Sequence, residues 1–482
     1  MQIKTILRLI GLLLMMFSLS MLTPLIINLI FHENFWLPFI GAFLCTLGTG
    51  FILWFSCRTQ YHELKIRDGF LIVVLFWLVL CFFASLPFIF ALQQHSMTDA
   101  FFESVSGFTT TGASIIENLN GLPQSILFYR QQLEFLGGMG IVVLAVAILP
   151  MLGVGGMQLY RAETPGPMKD SKLTPRIAHT AKALWYIYLL LTLVCMLSYW
   201  AAGMDWFDAL GESFATVSTG GFSMHDNSFA FYKNDAIELV ACFFMLLGGT
   251  NFALHFIAFK KRTLRHYLRD EEFRCYLLFV FCASLLVTIS LVSYGFFSAD
   301  QHALVKSLFN VVSLATTTGF ISAPFDNWPT YVPILITLLA IVGGCAASTS
   351  GGIKVMRALL IYKQSKREIA RTIHPNAIIP IKFNKHSLPE PILQSMWGFI
   401  SVFIALFVVL VVVFMALGND FITSFSAITA SLSNAGAGIG RIHENFSGLS
   451  QASKWVLIFA MIAGRLEIFS LLILFSPHFW RK

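Results

Sequence analysis

Long apolar runs dominate the pattern of this chain, and short polar connections separate them. Each run approaches or exceeds the roughly 20 residues that an α-helix needs to cross the hydrocarbon core of a bilayer. The pattern therefore predicts ten membrane-crossing helices. They lie at 9–31, 36–56, 69–93, 135–157, 183–203, 239–259, 275–297, 331–353, 395–417 and 455–479.

Shorter apolar stretches lie between these runs. The stretch 99–108 reaches only about 15 Å as a helix, half the thickness of the hydrocarbon core. Such a half-helix is stable at membrane depth only where protein or water covers its ends. A small polar segment that ends in glycine comes after it, and three similar segments follow later in the chain. Segment 1 is Thr109, Thr110, Thr111 and Gly112; segment 2 is Ser218, Thr219, Gly220 and Gly221; segment 3 is Thr316, Thr317, Thr318 and Gly319; segment 4 is Ser433, Asn434, Ala435 and Gly436.

The four segments recur about every hundred residues, which is typical of an internally repeated architecture. An Asp-Ala-x-x-Glu-Ser motif begins at Asp99 and again at Asp208, at the same distance before the glycines of segments 1 and 2. Both aspartates are predicted to cap the outer ends of their half-helices, a role that competes with attracting cations directly.

The fold class that follows is an all-α polytopic membrane protein. It has two N-terminal helices and four pseudo-symmetric membrane-pore-membrane repeats around a central pore, and each repeat consists of a helix, a re-entrant segment and a returning helix. The predicted boundaries are 1–57 for the N-terminal pair and 68–160, 180–262, 273–362 and 391–480 for the repeats.

Composition supports a membrane protein. Of the 482 residues, 57% are hydrophobic and only 12% are charged, against roughly 25% charged in soluble proteins. The first apolar run follows Lys4 and Arg8 as in a signal peptide, but its length and the absence of a small-x-small cleavage site favour a retained helix. The eight cysteines show no CxxC spacing, so neither a disulfide framework nor a zinc site is indicated.

Charge is distributed unequally between the two sides. Most of the 32 basic residues lie at the termini or in the connections 56–68, 158–182, 259–274 and 354–390, which the positive-inside rule makes cytoplasmic. The opposite connections are rich in carboxylates, and a negative outer vestibule raises the local cation concentration. The alternative is that these acidic loops only keep the outer surface hydrated. Nucleic-acid binding would require the reverse polarity and is not expected.

The four segments suit a dehydrated monovalent cation. Backbone carbonyls that turn inward can replace the water of such an ion, and glycine permits the irregular path this requires. Threonine and serine hydroxyls add oxygen atoms without a charge that would hold the ion too tightly. The partially negative C-terminal ends of the half-helices would further favour a cation between them. Four such segments around one axis predict an oxygen-lined constriction, whereas a single one would mean little.

These repeated segments resemble the Trk/Ktr/HKT superfamily of potassium transporters, specifically the bacterial TrkH type. The resemblance covers nearly the whole chain and implies two extra N-terminal helices, four repeats and one filter glycine in each repeat. On this sequence those glycines are Gly112, Gly221, Gly319 and Gly436, and a glycine rather than a serine at 112 implies potassium permeation.

The segments depart from exact symmetry in two copies. Gly220 stands in segment 2, and Asn434 and Ala435 stand in segment 4, so the four carbonyl rings need not be equivalent.

The resemblance also implies partners. The chain would form a homodimer in the lipid bilayer and bind a cytosolic, nucleotide-sensing ring of the TrkA type through its basic inner loops. Potassium is then the permeant ion, the chain itself carries no cofactor, and a nucleotide is expected only on the cytosolic partner. For the basic connection 354–390, the alternative is an ordinary solvated inner loop.

A run of ten small residues, which we call the small-residue loop, interrupts the predicted span 331–353. It cannot form a rigid helix at low cost and is predicted to unwind in part. In the resembled family the matching segment lies beneath the filter and obstructs the closed pore; the alternative is a close helix-packing face. The loop comprises Gly343, Gly344, Cys345, Ala346, Ala347, Ser348, Thr349, Ser350, Gly351 and Gly352.

Arg465 lies within the last apolar run, where an ionisable side chain is costly and usually faces a polar interior. It resembles the family's arginine of the fourth repeat, just below the filter. There it would repel a permeant cation or hold the gate loop through carbonyl hydrogen bonds. The alternative is a structural ion pair with another helix, for example with Glu134, and the two interpretations are compatible.

The residues argue against other classes of function. The sequence contains no HExxH, GxSxG or GxxxxGK motif, so no enzymatic activity is predicted. An ion-coupled secondary transporter would also use broken helices, but its repeats are commonly inverted, whereas all four units here begin on the inner side. The predicted function is potassium uptake across the bacterial inner membrane through a gated, channel-like pore. The alternatives are symport coupled to H⁺ or Na⁺ and a less selective K⁺/Na⁺ pathway.

Overall fold

The computed structural model describes residues 2–57, 66–92, 95–143, 173–296 and 301–481. Within these ranges the regular structure is helical apart from a two-stranded antiparallel hairpin, β1 (Lys382–Phe383) and β2 (His386–Ser387). The helices are α1 (Ile3–Ser18), α2 (Thr23–Ile30), α3 (Leu37–Ser56), α4 (Ile66–Ala84), α5 (Leu86–Ala91), α6 (Met97–Phe108), α7 (Gln124–Val143), α8 (Leu173–Ala201), α9 (Trp206–Ser218), α10 (Asp235–Gly248), α11 (Phe252–Lys261), α12 (Arg265–Arg269), α13 (Glu271–Ser293), α14 (Gln301–Ala315), α15 (Tyr331–Val342), α16 (Val355–Ile373), α17 (Glu390–Ala416), α18 (Phe421–Leu432), α19 (Gln451–Arg465), α20 (Phe469–Leu472) and α21 (Pro477–Trp480).

Among the described residues, six helical segments are long and apolar enough to cross a bilayer, and two bent pairs of helices pass the same test. The all-α membrane architecture predicted from the sequence is confirmed in this form. The second half of the predicted span 135–157 and most of the connection 158–182 lie outside the described residues. The six segments are Ile3–Ile30, Leu37–Ser56, Arg67–Ala91, Ala181–Ala201, Glu271–Ser293 and Glu390–Ala416.

Three predicted spans are not continuous helices. The span 239–259 divides into α10 and α11, which meet at 94°, and the span 455–479 bends by 107° after α19. The span 331–353 stops being helical at Val342. The apolar length of a run predicts how much of the chain lies in the membrane. It does not predict a break in the helix, because the backbone groups freed at the break can form hydrogen bonds inside the protein. The break before α11 is an example. There the side chain of Asn251 accepts a hydrogen bond from the N–H of Ala253 at 2.9 Å and so caps α11.

Helices α1 and α3, which belong to the two N-terminal membrane segments, pack against each other through glycine. A Cβ atom on Gly11 of α1 would lie 2.7 Å from the carbonyl oxygen of Gly50 on α3, and a Cβ on Gly50 would lie 2.8 Å from that of Gly11. Small residues at this crossing let the two backbones approach closely, as is common between membrane helices.

The half-helices are α6, α9, α14 and α18. Asp99 takes part in the predicted cap of α6, because its side chain and that of Ser96 each accept a hydrogen bond from the other residue's N–H. The prediction that Asp208 caps α9 is wrong. Asp205, three residues earlier, is the N-cap and accepts from the N–H of Phe207, whereas Asp208 pairs with His225 at 2.8 Å.

The basic connection 354–390 is an ordered element. Lys363 on α16 pairs with Glu271 at the start of α13, at 2.6 Å, and Arg367 pairs with Glu390 at the start of α17, also at 2.6 Å. The hairpin packs its buried Phe383 into an apolar cluster with the face of α16. This connection therefore ties the third unit to the beginning of the fourth.

Candidate functional site

All four half-helices end in the same way. The residue two positions before each segment's glycine has a left-handed backbone, with φ between 50° and 55° at Thr110, Thr219, Thr317 and Asn434. The next residue donates its N–H to a carbonyl five positions earlier, as in a Schellman motif. These hydrogen bonds are Thr111 to Ser106 at 2.8 Å, Gly220 to Ala215 at 2.8 Å, Thr318 to Ser313 at 2.7 Å and Ala435 to Ala430 at 2.7 Å.

The four glycines follow with positive φ angles and meet one another. A Cβ on Gly112 would collide with the carbonyl oxygen of Gly220, the residue before the next glycine. The same relation holds around a closed circle. Gly221 faces the carbonyl of Thr318, Gly319 faces that of Ala435, and Gly436 faces that of Thr111. The structure therefore brings the four segments together in chain order around one centre, and only glycine fits there because a side chain would strike a neighbouring backbone.

The departures from sequence symmetry leave this backbone unchanged. Gly220 and Ala435 occupy the place that threonine has in segments 1 and 3, with the same hydrogen bond to the half-helix. What differs is the support from side chains. The hydroxyls of Thr109 and Thr111 lie 2.8 Å apart, whereas the Asn434 amide donates to Thr111 Oγ1 at 2.9 Å and so braces segment 4 against segment 1.

Each half-helix also holds the chain that leaves its segment. A polar side chain nine or ten residues before the glycine contacts the third residue after it in every unit. Glu103 accepts from Ile115 N–H at 3.0 Å, Glu212 accepts from Met224 N–H at 2.9 Å, Asn310 donates to Ser322 Oγ at 3.3 Å, and Ser426 accepts from Ile439 N–H at 2.7 Å. The repeated motif in the sequence contains the first two of these residues, but nothing in it indicated this role.

The small-residue loop contains no helix and lies against three of the segments. Thr349 Oγ1 lies 3.1 Å from Thr219 Oγ1, and Gly351 N–H donates to Thr317 Oγ1 at 2.6 Å. A Cβ on Gly351 would collide with the carbonyl oxygen of Ser433 in segment 4. The loop therefore contacts segments 2, 3 and 4 directly.

Arg465 connects this loop to the remaining segment. Its Nε donates to the Thr109 carbonyl oxygen at 2.6 Å and its Nη1 to the Thr349 carbonyl oxygen at 3.0 Å, while Nη2 donates to the Thr110 hydroxyl. The side chain is buried and, among the described residues, makes hydrogen bonds to oxygen atoms rather than an ion pair. The alternative pairing with Glu134 is wrong, because that carboxyl accepts from Phe222 N–H instead.

A cavity of about 40 Å³ lies beside these groups. Lys354, Arg465 and Glu467 line it together with small residues of the loop and aromatic side chains of α17. Glu467 is paired with Arg357 at 2.7 Å. Two basic side chains and one paired carboxylate therefore line a cavity whose walls are otherwise mostly apolar.

The model of the TrkH family, described as a cation transport protein, matches residues 38–482 of the chain. The chain belongs to the TrkH family. It is 51% identical to the Trk system potassium uptake protein TrkH of Halomonas elongata and 47% identical to that of Escherichia coli strain K12, in each case over 100% of both chains. The crystal structure of the potassium transporter TrkH from Vibrio parahaemolyticus matches with a TM-score of 0.93 and 45% identity, and again all of both chains is covered.

Sequence reasoning missed several side chains of this TrkH-family site. Arg130, Gln131 and Glu134 of α7 are fully buried and contact the backbone just beyond segment 2. Ionisable and amide residues directly before the predicted span 135–157 were the available signal. Their target could not be found from the sequence, because it lies some ninety positions away in the next unit.

Proposed function

We propose that this chain takes up potassium across the bacterial inner membrane through a channel-like pore whose selectivity filter is formed by segments 1–4. The observation that carries the proposal is the closed circle in which each glycine faces the carbonyl preceding the next glycine. Main-chain oxygens brought together in this way can replace the hydration shell of an alkali cation. Relatives that are 47–51% identical over their full length are named potassium uptake proteins.

The chemistry of the ring favours a monovalent cation. All side chains in the four segments are uncharged, so an ion would meet several weak oxygen contacts and could leave again. The C-terminal ends of four half-helices converge on the ring and contribute partial negative charge. Neither feature requires a cofactor in this chain.

The small-residue loop and Arg465 would form the gate. The loop contacts segments 2, 3 and 4, and Arg465 bridges it to segment 1, so passage through the ring requires these contacts to break. The positive charge of Arg465 next to two carbonyl oxygens would also oppose entry of a cation from the filter.

Assembly and orientation are expectations from the resemblance and from charge. The relatives are named as parts of a Trk system. On this chain, the proposal is a homodimer with both termini in the cytoplasm and a TrkA-type ring bound at the basic connections. Cross-linking and co-purification of the full-length chain test these statements separately from transport.

Transport itself is tested with the purified protein in lipid vesicles. Uptake of ⁸⁶Rb⁺ is measured with Na⁺ as competitor, with and without an imposed H⁺ or Na⁺ gradient at a fixed voltage. Passive conduction predicts that uptake continues after the second gradient is collapsed. Uptake that stops under that condition would instead favour an ion-coupled symporter, and equal competition by Na⁺ and K⁺ would favour a less selective pathway.

A further inference from the structure

Segment 2 lacks the internal brace of the two segments that contain three threonines. In segment 1 the hydroxyls of Thr109 and Thr111 lie 2.8 Å apart, and in segment 3 those of Thr316 and Thr318 are separated by the same distance. Segment 2 has Gly220 at the second of these places, so the corresponding pair cannot form.

Helix α7, which belongs to the preceding unit, supports this part of the chain instead. Glu134 Oε1 accepts from the N–H of Phe222 at 2.9 Å, and Gln131 Nε2 donates to the carbonyl oxygen of the same residue at 2.9 Å. Arg130 Nη1 donates to the carbonyl oxygen of Ser223 at 3.1 Å. Three successive peptide units, beginning with the one that joins Gly221 to Phe222, are therefore fixed by three buried side chains of one helix.

Gly220 and Glu134 fit each other sterically. A Cβ on Gly220 would collide with the carboxyl group of Glu134. A threonine at position 220, as in segments 1 and 3, is therefore incompatible with the carboxyl group in its present place. Where segments 1 and 3 have a contact between two of their own hydroxyls, segment 2 is supported by a carboxyl group from a neighbouring helix.

Arg130 extends this support to segment 1. Its Nε donates to Glu103 Oε1 at 2.8 Å, and the other oxygen of Glu103 accepts from the N–H of Ile115, beyond segment 1. The guanidinium also stacks over the ring of Phe222, 4.2 Å from its centre. Arg130 thus contacts Glu103, which supports the chain after segment 1, and also the backbone that follows segment 2.

We propose that Glu134, together with Gln131 and Arg130, is a positioning group that holds segment 2 at the geometry needed to distinguish K⁺ from Na⁺. This inference rests on the proposed role of the four segments as a filter. Discrimination between two alkali cations depends on the number and placement of the oxygen atoms around the ion. A segment that loses its support can close around the smaller Na⁺ ion.

Two substitutions of similar volume separate hydrogen bonding from packing. Glu134→Gln keeps an oxygen that can accept from Phe222 N–H, whereas Glu134→Met fills the space without an acceptor. In vesicles of the full-length protein, we expect Glu134→Gln to resist Na⁺ competition against ⁸⁶Rb⁺ uptake as the wild type does. Glu134→Met should need about tenfold less Na⁺ for half-inhibition, as expected for loss of one buried hydrogen bond. Equal behaviour of the two variants would overturn the inference.

The steric fit is tested by stability, which does not depend on transport. We expect Gly220→Ala to lower the melting temperature of the purified protein, and the double variant Gly220→Ala/Glu134→Ala to lose less than the sum of the single variants. Residues that share one space show such coupling, whereas independent sites give additive effects. Additive losses would contradict the proposed fit.

A matched control lies at the start of α7. Glu33 also accepts hydrogen bonds from backbone N–H groups, those of Gln124 and Ser125. Glu33→Met should lower stability without changing Na⁺ competition. If Glu33→Met changes Na⁺ competition as much as Glu134→Met does, the change follows from a general loss of stability, and the inference is overturned. If the wild type itself shows no preference for Rb⁺ over Na⁺, the proposed function fails. If the wild type discriminates and Glu134→Met does so equally, only the positioning role fails.

Discussion

Lys454 Nζ lies 2.7 Å from Asp99 Oδ1, and this ion pair joins the fourth unit to the first across 355 positions of sequence. The two side chains are only 6% and 12% exposed. Near them, the N–H of Phe446 donates to the carbonyl oxygen of Ser114 at 2.8 Å. These contacts close the circle of units on the side where the half-helices begin.

Removing Lys454 should destabilise the protein, because Asp99 would be left buried without its partner. We expect Lys454→Met to cost about 3 kcal/mol of unfolding free energy, the range seen when one member of a buried pair is deleted. Thermal unfolding in detergent measures the effect. The exposed pair of Arg441 and Asp420 supplies the control, since Arg441→Met should cost about 1 kcal/mol or less. Equal losses of stability in the two variants would contradict a stabilising role for the pair of Lys454 and Asp99.

Asp99 should also make stability depend on pH in the acid range. Burial opposes ionisation of Asp99, but hydrogen bonds from Lys454 and Ser96 hold its pKa below the usual value. Because the folded-state pKa is the lower one, the stabilisation is complete above the unfolded-state pKa of about 4 and is lost as the pH falls through the folded-state pKa. Asp99→Asn should therefore flatten the acid side of the curve of melting temperature against pH. Parallel curves for wild type and variant would argue against this linkage.

Gly112→Ser should weaken the preference for potassium. The new Cβ would meet the carbonyl oxygen of Gly220, so the ring must shift where segments 1 and 2 touch. We expect Na⁺ to compete with ⁸⁶Rb⁺ uptake at about tenfold lower concentration, the effect of a change of about 1.4 kcal/mol. Gly48→Ser is the control, because a Cβ at that glycine meets nothing within 4 Å. An unchanged preference in Gly112→Ser would count against the filter assignment.

Arg465→Ala should raise basal uptake. The substitution removes the hydrogen bonds that tie the Thr349 carbonyl of the small-residue loop to the Thr109 carbonyl of segment 1. Arg465→Lys retains a charge but not the planar fork that reaches both oxygens, so we expect an intermediate rate. Initial rates of ⁸⁶Rb⁺ uptake into vesicles measure both variants. Rates as low as that of the wild type in both would remove Arg465 from the gate.

Gly351→Ala should disturb the proposed gate where the small-residue loop meets segment 4. Its Cβ would collide with the Ser433 carbonyl oxygen, which forces the small-residue loop away from segment 4. We expect higher basal uptake with little change in Na⁺ competition, since the ring of glycines is not itself altered. Gly448→Ala, where a Cβ meets nothing, serves as the matched substitution. Loss of discrimination against Na⁺ without faster uptake would show that the loop shapes the filter rather than closing it.

The sequence indicated one of the three breaks in the membrane helices, the one at 343–352. The glycines and hydroxyls of 343–352 predicted an unwound segment, because small and polar residues stabilise a helix poorly wherever they occur. The bend of 94° between α10 and α11 was missed, although Gly248, Gly249, Thr250 and Asn251 stand together where it occurs. The capping hydrogen bond of Asn251, which stabilises the bend, is visible only in the folded chain.

By itself, the sequence determined the class of the protein and the places of the four segments, because hydrophobic length and a repeated run of polar residues and glycine are local properties of the chain. Only the tertiary structure decided what surrounds each segment. Asp208 pairs with His225 rather than capping its helix, Arg465 binds carbonyl oxygens rather than Glu134, and Glu134 explains the glycine at 220. Such partners are chosen by proximity in the folded protein, where a buried polar group must bond to whatever complementary group lies within reach.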